Sequence, residues 1–331
     1  MSSAKVWRLP RGLWIVIASL AVIALFVVDL CVGPAKITLS NLAVVFDPNT
    51  VEHIAFFRIR MPAALMAVGV GLSLGLAGAV MQTILNNPLA SPFTLGVSSA
   101  ASLGAAIVFV MAVPMVFVTG GALLLALISV FVIFAVGKYI EMSNSSLVLA
   151  GIALNFLFDA LLSLIQYRAS EESLAYIVFW TMGGLTRSSY TQGWIMLSAF
   201  VIVFVVLLRN AWNLTALKFG EARADALGVP VQRVKIVSLI LASVLTALAV
   251  SFCGKIGFIG LAAPHLARRL VSEDQRFYLT GSAILGAMIL LFSSIVSKLI
   301  VPGVVVPIGI ISSIIGIPFL VYALVSQRRQ R

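Results

Sequence analysis

The sequence predicts an all-helical membrane protein with a single domain of about ten transmembrane helices. Of its 331 residues, 61% are hydrophobic and only 10% are charged, and the mean hydropathy is +1.14. A soluble domain usually carries about a quarter charged residues. Because a spanning helix needs roughly 20 apolar residues, the chain has room for about ten spans with short connections. These values exclude a water-soluble globular enzyme.

Ten apolar stretches, separated by Gly, Pro and charged residues, are the predicted spans. We interpret the first as a span because it is too long for a signal-peptide core and lacks a small-x-small cleavage site. The eighth has only about 15 residues, so we expect it to be tilted or buried within the protein. The predicted spans are residues 14–32, 62–85, 93–111, 114–136, 146–165, 190–208, 236–253, 256–270, 277–300 and 304–325.

The distribution of charge predicts how the chain sits in the membrane. Of the 22 Lys and Arg residues, 15 fall on one predicted side and 7 on the other. The side with the excess is expected to be cytoplasmic, which places both tails, residues 1–13 and 326–331, in the cytoplasm. This bias explains the net charge of +11, so we predict no nucleic-acid partner. The two cysteines, Cys31 and Cys253, lie far apart without a CxxC motif, so we predict no disulfide and no metal site.

The longest polar connection on the predicted cytoplasmic side is residues 214–229. Within it, residues 221–227 predict a short helix that ends at Gly228, with Pro230 beyond. Leu214, Leu217 and Leu227 give this connection apolar side chains. A short amphipathic helix docks into a groove on a soluble partner or lies against its own bundle, and the pattern leaves both interpretations open.

Two segments rich in Pro and Gly, residues 86–96 and 254–265, interrupt the helical pattern. They begin near the ends of the second and seventh spans, on opposite predicted faces of the membrane. This is where an inverted repeat of spans 2–5 and 7–10 places equivalent elements, and interrupted helices beside a pathway are typical of transporters. A pair of structural kinks is the alternative interpretation.

Asp159 is the carboxylate that the pattern places deep inside a span. A charge at membrane depth indicates function by default, but we see no second ionisable residue to relay a proton. We therefore favour a structural hydrogen bond or a helix-cap partner, and transport driven by an ion gradient is the weaker interpretation. The sequence contains no GxxxxGK[ST] phosphate-binding motif and no HExxH motif. We expect no catalytic residues, no metal and no cofactor in this chain.

A series of motifs in order along the chain carries a family resemblance. It resembles the FecCD/BtuC-like family, the permease subunits of type II ABC importers for iron-siderophore complexes, haem and cobalamin. The matching residues are Arg60-Met61-Pro62; Gly71, Gly78 and Gln82; Asn87-Pro88-Leu89-Ala90-x-Pro92-x-x-Leu95-Gly96; Leu217-x-x-Gly220-Glu221-x-Arg223-Ala224-x-x-Leu227-Gly228; Gly254-x-Ile256-x-Phe258-Ile259-Gly260-Leu261-x-x-Pro264-His265-x-x-Arg268; and Pro307-x-Gly309 to Gly316-x-Pro318-Phe319.

The resemblance implies roles for three groups of residues. Outer cations would dock a substrate-binding protein, residues 214–229, hereafter the coupling segment, would contact the ATPase subunits, and small or polar residues would line the translocation path or its gate. The implied docking residues are Arg58, Arg60 and Lys298. The implied coupling residues are Leu214, Leu217, Gly220, Glu221, Arg223, Leu227 and Gly228. The implied path residues are Gln82, Asn87, Pro88, Ser98, Gly260, Pro264 and His265.

Four positions depart from the family pattern. Ala63 stands where the family commonly has a second Arg, Ser294 where an Asp is common, Lys298 where an Arg is usual, and Val305 where a Glu usually precedes Leu-Pro. Losing planar bidentate donors at such positions changes which acidic partner fits. For the outer cations, anchoring at lipid headgroups is the alternative to docking.

The function implied is import of a ferric siderophore across the bacterial inner membrane by alternating access. Haem or cobalamin is the alternative substrate, an ion-coupled secondary transporter the less favoured mechanism, and a structural membrane protein a further alternative. The implied partners are a second permease, identical or paralogous, two cytoplasmic ATPase subunits that bind ATP and Mg²⁺, a periplasmic or lipid-anchored binding protein, and membrane lipid. The chain itself is expected not to be an enzyme.

Overall fold

The computed structural model describes residues 10–34, 42–139 and 144–328. Residues 1–9 and 329–331 of the predicted tails lie outside these ranges. The secondary structure of the described part consists of helices, apart from an isolated bridge between Val301 and Val304. The elements are α1 (Arg11–Cys31), α2 (Leu42–Val45), α3 (Val51–His53), a π-helix (Ile54–Arg60), α4 (Met61–Ile84), a 3₁₀ turn (Pro92–Leu95), α5 (Val97–Val110), α6 (Val116–Tyr139), α7 (Asn144–Arg168), α8 (Glu171–Thr181), α9 (Tyr190–Arg209), α10 (Ala211–Leu217), α11 (Glu221–Ala226), α12 (Val231–Cys253), α13 (Ile259–Leu270), α14 (Gln275–Leu299) and α15 (Ile308–Arg328).

Each of the ten predicted apolar stretches contains one of these helices, which confirms the all-helical fold class. Seven described helices are long and apolar enough to cross a membrane: α1, α4, α6, α7, α9, α12 and α14. The other three predicted stretches hold α5, α13 and α15. At about 1.5 Å per residue, the 12-residue α13 reaches about 18 Å, well short of a full span. The count of ten complete spans is therefore confirmed only for seven.

The helix α8 lies outside all the predicted helices. The helix α8 has 11 residues and begins after Ser170, whose hydroxyl accepts a hydrogen bond from the backbone N–H of Ser173. Glu171 and Glu172 occupy its first turn, where carboxylates favour the helix dipole. It is too short to span, and a search for apolar runs of membrane length passes over it.

The bundle is centred on α4, which is buried along nearly its whole length. Its glycines permit unusually close contact with neighbouring helices. A Cβ at Gly71 would lie 2.6 Å from the Cα of Ala287 in α14, and one at Gly78 would overlap the carbonyl of Gly260 in α13. Since no side chain fits there, these glycines fix the spacing of the backbones.

The packing follows the predicted inverted repeat. In this repeat, α4, α5 and α6 correspond to α12, α13 and α14. The contact of α5 with α6 recurs as that of α13 with α14. The contacts of α4 with α13 and α14 recur as those of α12 with α5 and α6. In each interrupted segment, a left-handed residue lies immediately before a short helix. These residues are Gly96 (φ 75°) before α5 and Phe258 (φ 66°) before α13. The two breaks therefore begin equivalent helices.

We name the two ends of the bundle after the predicted topology. The end with the C-terminus of α1 is the predicted outer end. The end with α10 and α11 is the predicted cytoplasmic end.

Candidate functional site

The coupling segment forms two short helices at the predicted cytoplasmic end. The helix α11 begins after Gly220 (φ 103°) and ends before Gly228 (φ 78°), as the sequence predicted. Both glycines have a left-handed backbone that other residues rarely adopt. No atom lies within 4 Å of a Cβ placed on either one, so their role is the turn and not close packing.

The three leucines of this segment occupy different surroundings, and their predicted coupling role stays a prediction. Leu214 and Leu217 are buried against the bundle, because α10 packs on α14 and α4. Leu227 is 63% exposed, and so is Phe219, which the sequence analysis did not single out. The outward face of the coupling segment therefore includes the apolar Phe219 and Leu227 and the charged Arg223 and Asp225.

An ion pair fastens α11 to the bundle. Glu221 accepts from the Nζ of Lys235 at 2.7 Å, and the Lys235 side chain is 2% exposed. A buried ammonium is stable only with such a partner. The predicted coupling residue Glu221 thus holds α11 on α12.

A polar cluster next to the coupling segment joins the three membrane helices α4, α13 and α14. Arg268 of α13 donates to the Oε1 of Gln82 in α4 at 3.2 Å, and the hydroxyl of Tyr278 in α14 donates to the same oxygen at 3.1 Å. Glu273, in the turn between α13 and α14, lies 2.9 Å from Lys218 and 3.4 Å from Arg268. Gln82, predicted for the path wall, is 2% exposed and ties helices together in this structure.

The charges of this cluster shift the pKa values of its members. Burial disfavours the ionised form of Glu273, but the hydrogen bond from Lys218 and the charges of Lys218 and Arg268 outweigh it, so the pKa of this carboxyl lies below 4.5. Burial lowers the pKa of Lys218 below 10.5.

The remaining predicted path residues lie either in a turn or buried within helices. Asn87 and Pro88 lie in the turn after α4, where Asn87 accepts from the backbone N–H of Leu89 at 2.9 Å. Ser98 and His265 are buried, and among the described residues the Ser98 Oγ and the His265 Nε2 have no hydrogen-bond partner. Gly260 and Pro264 are buried in α13. The predicted path role of all seven residues stays a prediction.

Asp159 has an ionic partner that the sequence analysis missed. Its carboxylate lies 3.2 Å from the Nζ of Lys255, which follows the end of α12. The expected hydrogen bond to Asp159 is therefore present, but its donor is a charged group that the sequence analysis had not paired with it. The two side chains are 51% and 30% exposed. Asp159 is nine residues from the end of α7, about 14 Å along the helix.

The predicted docking cations occupy different surroundings at the predicted outer end. Arg58 is exposed. Arg60 is 4% exposed and donates to the carbonyls of Leu30 and Cys31 at 2.9 and 3.1 Å. These carbonyls end α1, where a cation satisfies orphan acceptors and the helix dipole. Of the three predicted docking cations, Arg58 is therefore accessible to a partner, whereas Arg60 is buried against α1.

Lys298 also binds the end of α1. Its Nζ lies 2.8 Å from the carboxylate of Asp29 and donates to the Asp29 carbonyl at 2.8 Å. Asp29 is completely buried. A carboxylate near the end of the first apolar run can be recognised in the sequence. Its partner cannot, because Lys298 is 269 residues away. The docking role of Lys298 stays a prediction.

All four positions that depart from the family pattern line one cavity of about 230 Å³ at the predicted outer end: Ala63, Ser294, Lys298 and Val305. The exposed Arg187, also missed by the motif search, lines this cavity and a second one of about 670 Å³. The four departures from the family pattern therefore lie together at one cavity.

Comparison with known proteins decides the family. The model of the FecCD transport family matches residues 20–326. The chain belongs to the FecCD transport family. Its relatives include the hemin transport system permease of Yersinia pestis, 33% identical over 83% of this chain and 84% of that protein. They also include the cobalamin import system permease of Halobacterium salinarum, 37% identical over 84% of this chain and 74% of that protein.

A solved structure supports the fold of this FecCD family member. It shows an inward-facing ABC transporter assigned to the metal-chelate type, with a TM-score of 0.87 and 29% identity, covering 95% of this chain and 99% of the matched chain. The chain is thus a multi-span permease subunit of an ABC importer, as the sequence motifs implied. An ABC permease works with ATPase and substrate-binding subunits, so exposed surfaces at both ends of the bundle are expected.

Proposed function

We propose that this FecCD family permease imports a metal chelate, with a ferric siderophore as the first candidate and haem or cobalamin as alternatives. Two permease subunits, identical or paralogous, form the path across the bacterial inner membrane, and both termini lie in the cytoplasm. Two cytoplasmic ATPase subunits, which bind ATP and Mg²⁺, drive the cycle. A periplasmic or lipid-anchored binding protein delivers the chelate at the predicted outer end.

The observation that carries this proposal is the construction of the coupling segment. Leu214 and Leu217 fix it to the bundle, while Phe219, Leu227 and Arg223 face outward. Exposed apolar side chains on both sides of a short helix that carries a cation suit a groove on a soluble protein. An ATPase subunit that engages this face would move the membrane helices to which the segment is fixed.

The Asp159–Lys255 ion pair supports a water-filled path beside α7. A half-exposed ion pair at membrane depth is costly against lipid, so such groups face a cavity or a protein partner. Ser163, one turn further along α7, is also exposed. We place this face of α7 and the start of the α12–α13 connection on the wall of the path.

The predicted outer end supports docking of an acidic partner. Arg58 and Arg187 are both exposed there, and cations on this side have no explanation from the positive-inside rule. With Arg60 and Lys298 occupied by α1, we assign the first contact with the binding protein to Arg58 and Arg187.

Affinity copurification from native membranes tests the assembly. We expect an ABC ATPase and a binding protein to copurify with the tagged chain, together with a second permease or a second copy of this one. Mass spectrometry of the same sample identifies any bound chelate. A chain that purifies without an ATPase, and whose uptake persists in ATP-depleted vesicles with an ion gradient, would instead be a secondary transporter.

A further inference from the structure

The turn between α13 and α14 lies between the coupling segment and the centre of the bundle. It connects the two through polar side chains along two routes, one buried and one at the surface. Neither route belongs to the residues that the family motifs assign to coupling.

The buried route runs through Gln275, the first residue of α14, which is completely buried. Its backbone N–H donates to the Oγ1 of Thr215 in the coupling segment at 3.3 Å. Its side-chain Oε1 lies 3.2 Å from the hydroxyl of Thr83 in α4, whose single proton it shares with the Ala79 carbonyl at 2.8 Å. A single residue therefore contacts both α10 and α4.

The surface route runs through Glu273. One carboxylate oxygen pairs with Lys218 of the coupling segment and with Arg268 of α13. Arg268 continues to Gln82, the neighbour of Thr83 in α4. Lys218 and Arg268 also lie 5.5 Å from the centre of the Tyr278 ring, which favours cations over its face. Both routes thus end at adjacent residues of α4.

The geometry favours transmission over simple support. Glu273 is 62% exposed, and an exposed ion pair contributes little to stability. Gln275 is buried with both ends of its amide group engaged, since its Nε2 donates to the Glu273 carbonyl at 3.4 Å. A buried polar link of this kind specifies a relative position of the elements that it joins. Those elements are the coupling segment and the central helix α4.

We propose that Gln275 and Glu273 are positioning residues that transmit displacement of the coupling segment to α4 and α13. This inference rests on the proposed function, because it assumes that an ATPase displaces the coupling segment. With these links in place, movement of α10 shifts α4. Without them, ATP hydrolysis continues while less chelate is moved per ATP.

The test compares variants of the copurified complex in proteoliposomes. Uptake of a ferric hydroxamate, haemin or cobalamin is measured, using whichever the wild-type complex transports, together with ATP hydrolysis. We expect Gln275→Met to lower chelate transported per ATP about fivefold and the double variant with Glu273→Gln to lower it about twentyfold, with assembly and ATPase rate within about twofold of wild type.

Two control variants are matched to this design. Thr280→Val lies one turn along α14 and removes a hydroxyl that bonds only its own helix, at the carbonyl of Arg276. Arg276→Gln breaks an exposed ion pair with Asp274 in the same turn. Both are expected to keep the wild-type ratio.

The outcomes separate the two proposals. If the wild-type complex transports and the double variant keeps a ratio within about twofold of it, the positioning role is wrong while the proposed function stands. If the wild-type complex shows no ATP-driven uptake of any probe, the proposed function itself fails. Should Gln275→Met prevent assembly, Thr215→Val breaks the same buried route at its other hydrogen bond, the one from the Gln275 backbone N–H, and is judged by the same fivefold threshold.

Discussion

The ammonium group of Lys298 lies 2.8 Å from the carboxylate of Asp29, and this ion pair joins the end of α1 to the end of α14. Both side chains are buried, at 8% and 0% exposure. Arg60 binds the next carbonyls of α1. The first span, which is otherwise mostly exposed, is thus held to the bundle by two cations at one end.

Asp29→Asn is expected to destabilise the protein, because it leaves the Lys298 ammonium buried without a counter-charge. Removing one member of a buried pair typically costs about 3–5 kcal/mol. The thermal unfolding midpoint of the purified protein measures this. Asp29→Asn combined with Lys298→Met should recover part of the loss, since no buried charge remains. Equal midpoints for wild type and Asp29→Asn would show that the pair does not hold α1.

Arg58→Glu is expected to weaken docking of the binding protein about tenfold without changing the unfolding midpoint, because Arg58 is exposed and its loss leaves no buried group unpaired. Binding to the complex in nanodiscs, measured at two salt concentrations, checks the effect and its electrostatic origin. Arg60→Glu is not a clean test, because it would set a carboxylate against the carbonyls of Leu30 and Cys31. Unchanged affinity for both Arg58→Glu and Arg187→Glu would remove the docking site from this surface.

Leu227→Asp together with Phe219→Asp should reduce copurification of the ATPase at least tenfold while the chain stays folded, since both side chains are 63% exposed. An acid placed in an apolar groove pays the desolvation cost of its charge. Val51→Asp, at a residue 72% exposed at the opposite end of the bundle, is the matched control. Full ATPase recovery with the paired variant would mean that the coupling segment is not the contact surface.

Asp159→Asn is expected to lower uptake about tenfold, because it leaves the Lys255 cation unpaired on the wall of the path. Lys255→Met should lower uptake similarly, because it leaves the Asp159 carboxylate unpaired there. The double variant restores a neutral wall, so its uptake is expected within about threefold of wild type. Initial uptake rates into proteoliposomes provide the measurement, with Thr280→Val in α14 as the control. Additive losses in the double variant would contradict a role based on charge balance.

Acidification is expected to remove the contribution of Glu273 to stability. Because its pKa in the folded protein lies below 4.5, the contribution is fully present above about pH 4.5 and is lost as the pH falls through the lower, folded-state value. The unfolding midpoints of wild type and Glu273→Gln should therefore differ by a small amount near neutral pH, as an exposed ion pair implies, and converge in acid. A constant gap down to pH 3 would show that the Lys218–Glu273 pair has no such effect.

The sequence predicted the fold well because the signals were local and long. Continuous apolar runs identified ten helices, and Gly228 with Pro230 marked the end of α11. The short helix α8 was missed because its polar start and 11-residue length resemble a loop between spans. The repeat was predicted because its two breaks are each rich in Gly and Pro.

The site was harder to predict because its important contacts join residues far apart in the chain. Lys298 was identified as a cation, but its partner Asp29 depends on the packing of α1 against α14. Likewise, Gln275 resembles any polar residue at a helix start until α10 and α4 are placed on either side of it. The four departures from the family pattern share a cavity only in three dimensions.

ATP dependence of chelate uptake tests the central claim most directly. The copurified complex is reconstituted into proteoliposomes with its binding protein, and uptake of a ferric hydroxamate, haemin and cobalamin is followed with ATP, with ATP and the Leu227→Asp/Phe219→Asp variant, and with an ion gradient alone. We predict uptake of one chelate that requires ATP and is lost in the variant. Uptake driven by the ion gradient without ATP would contradict the account.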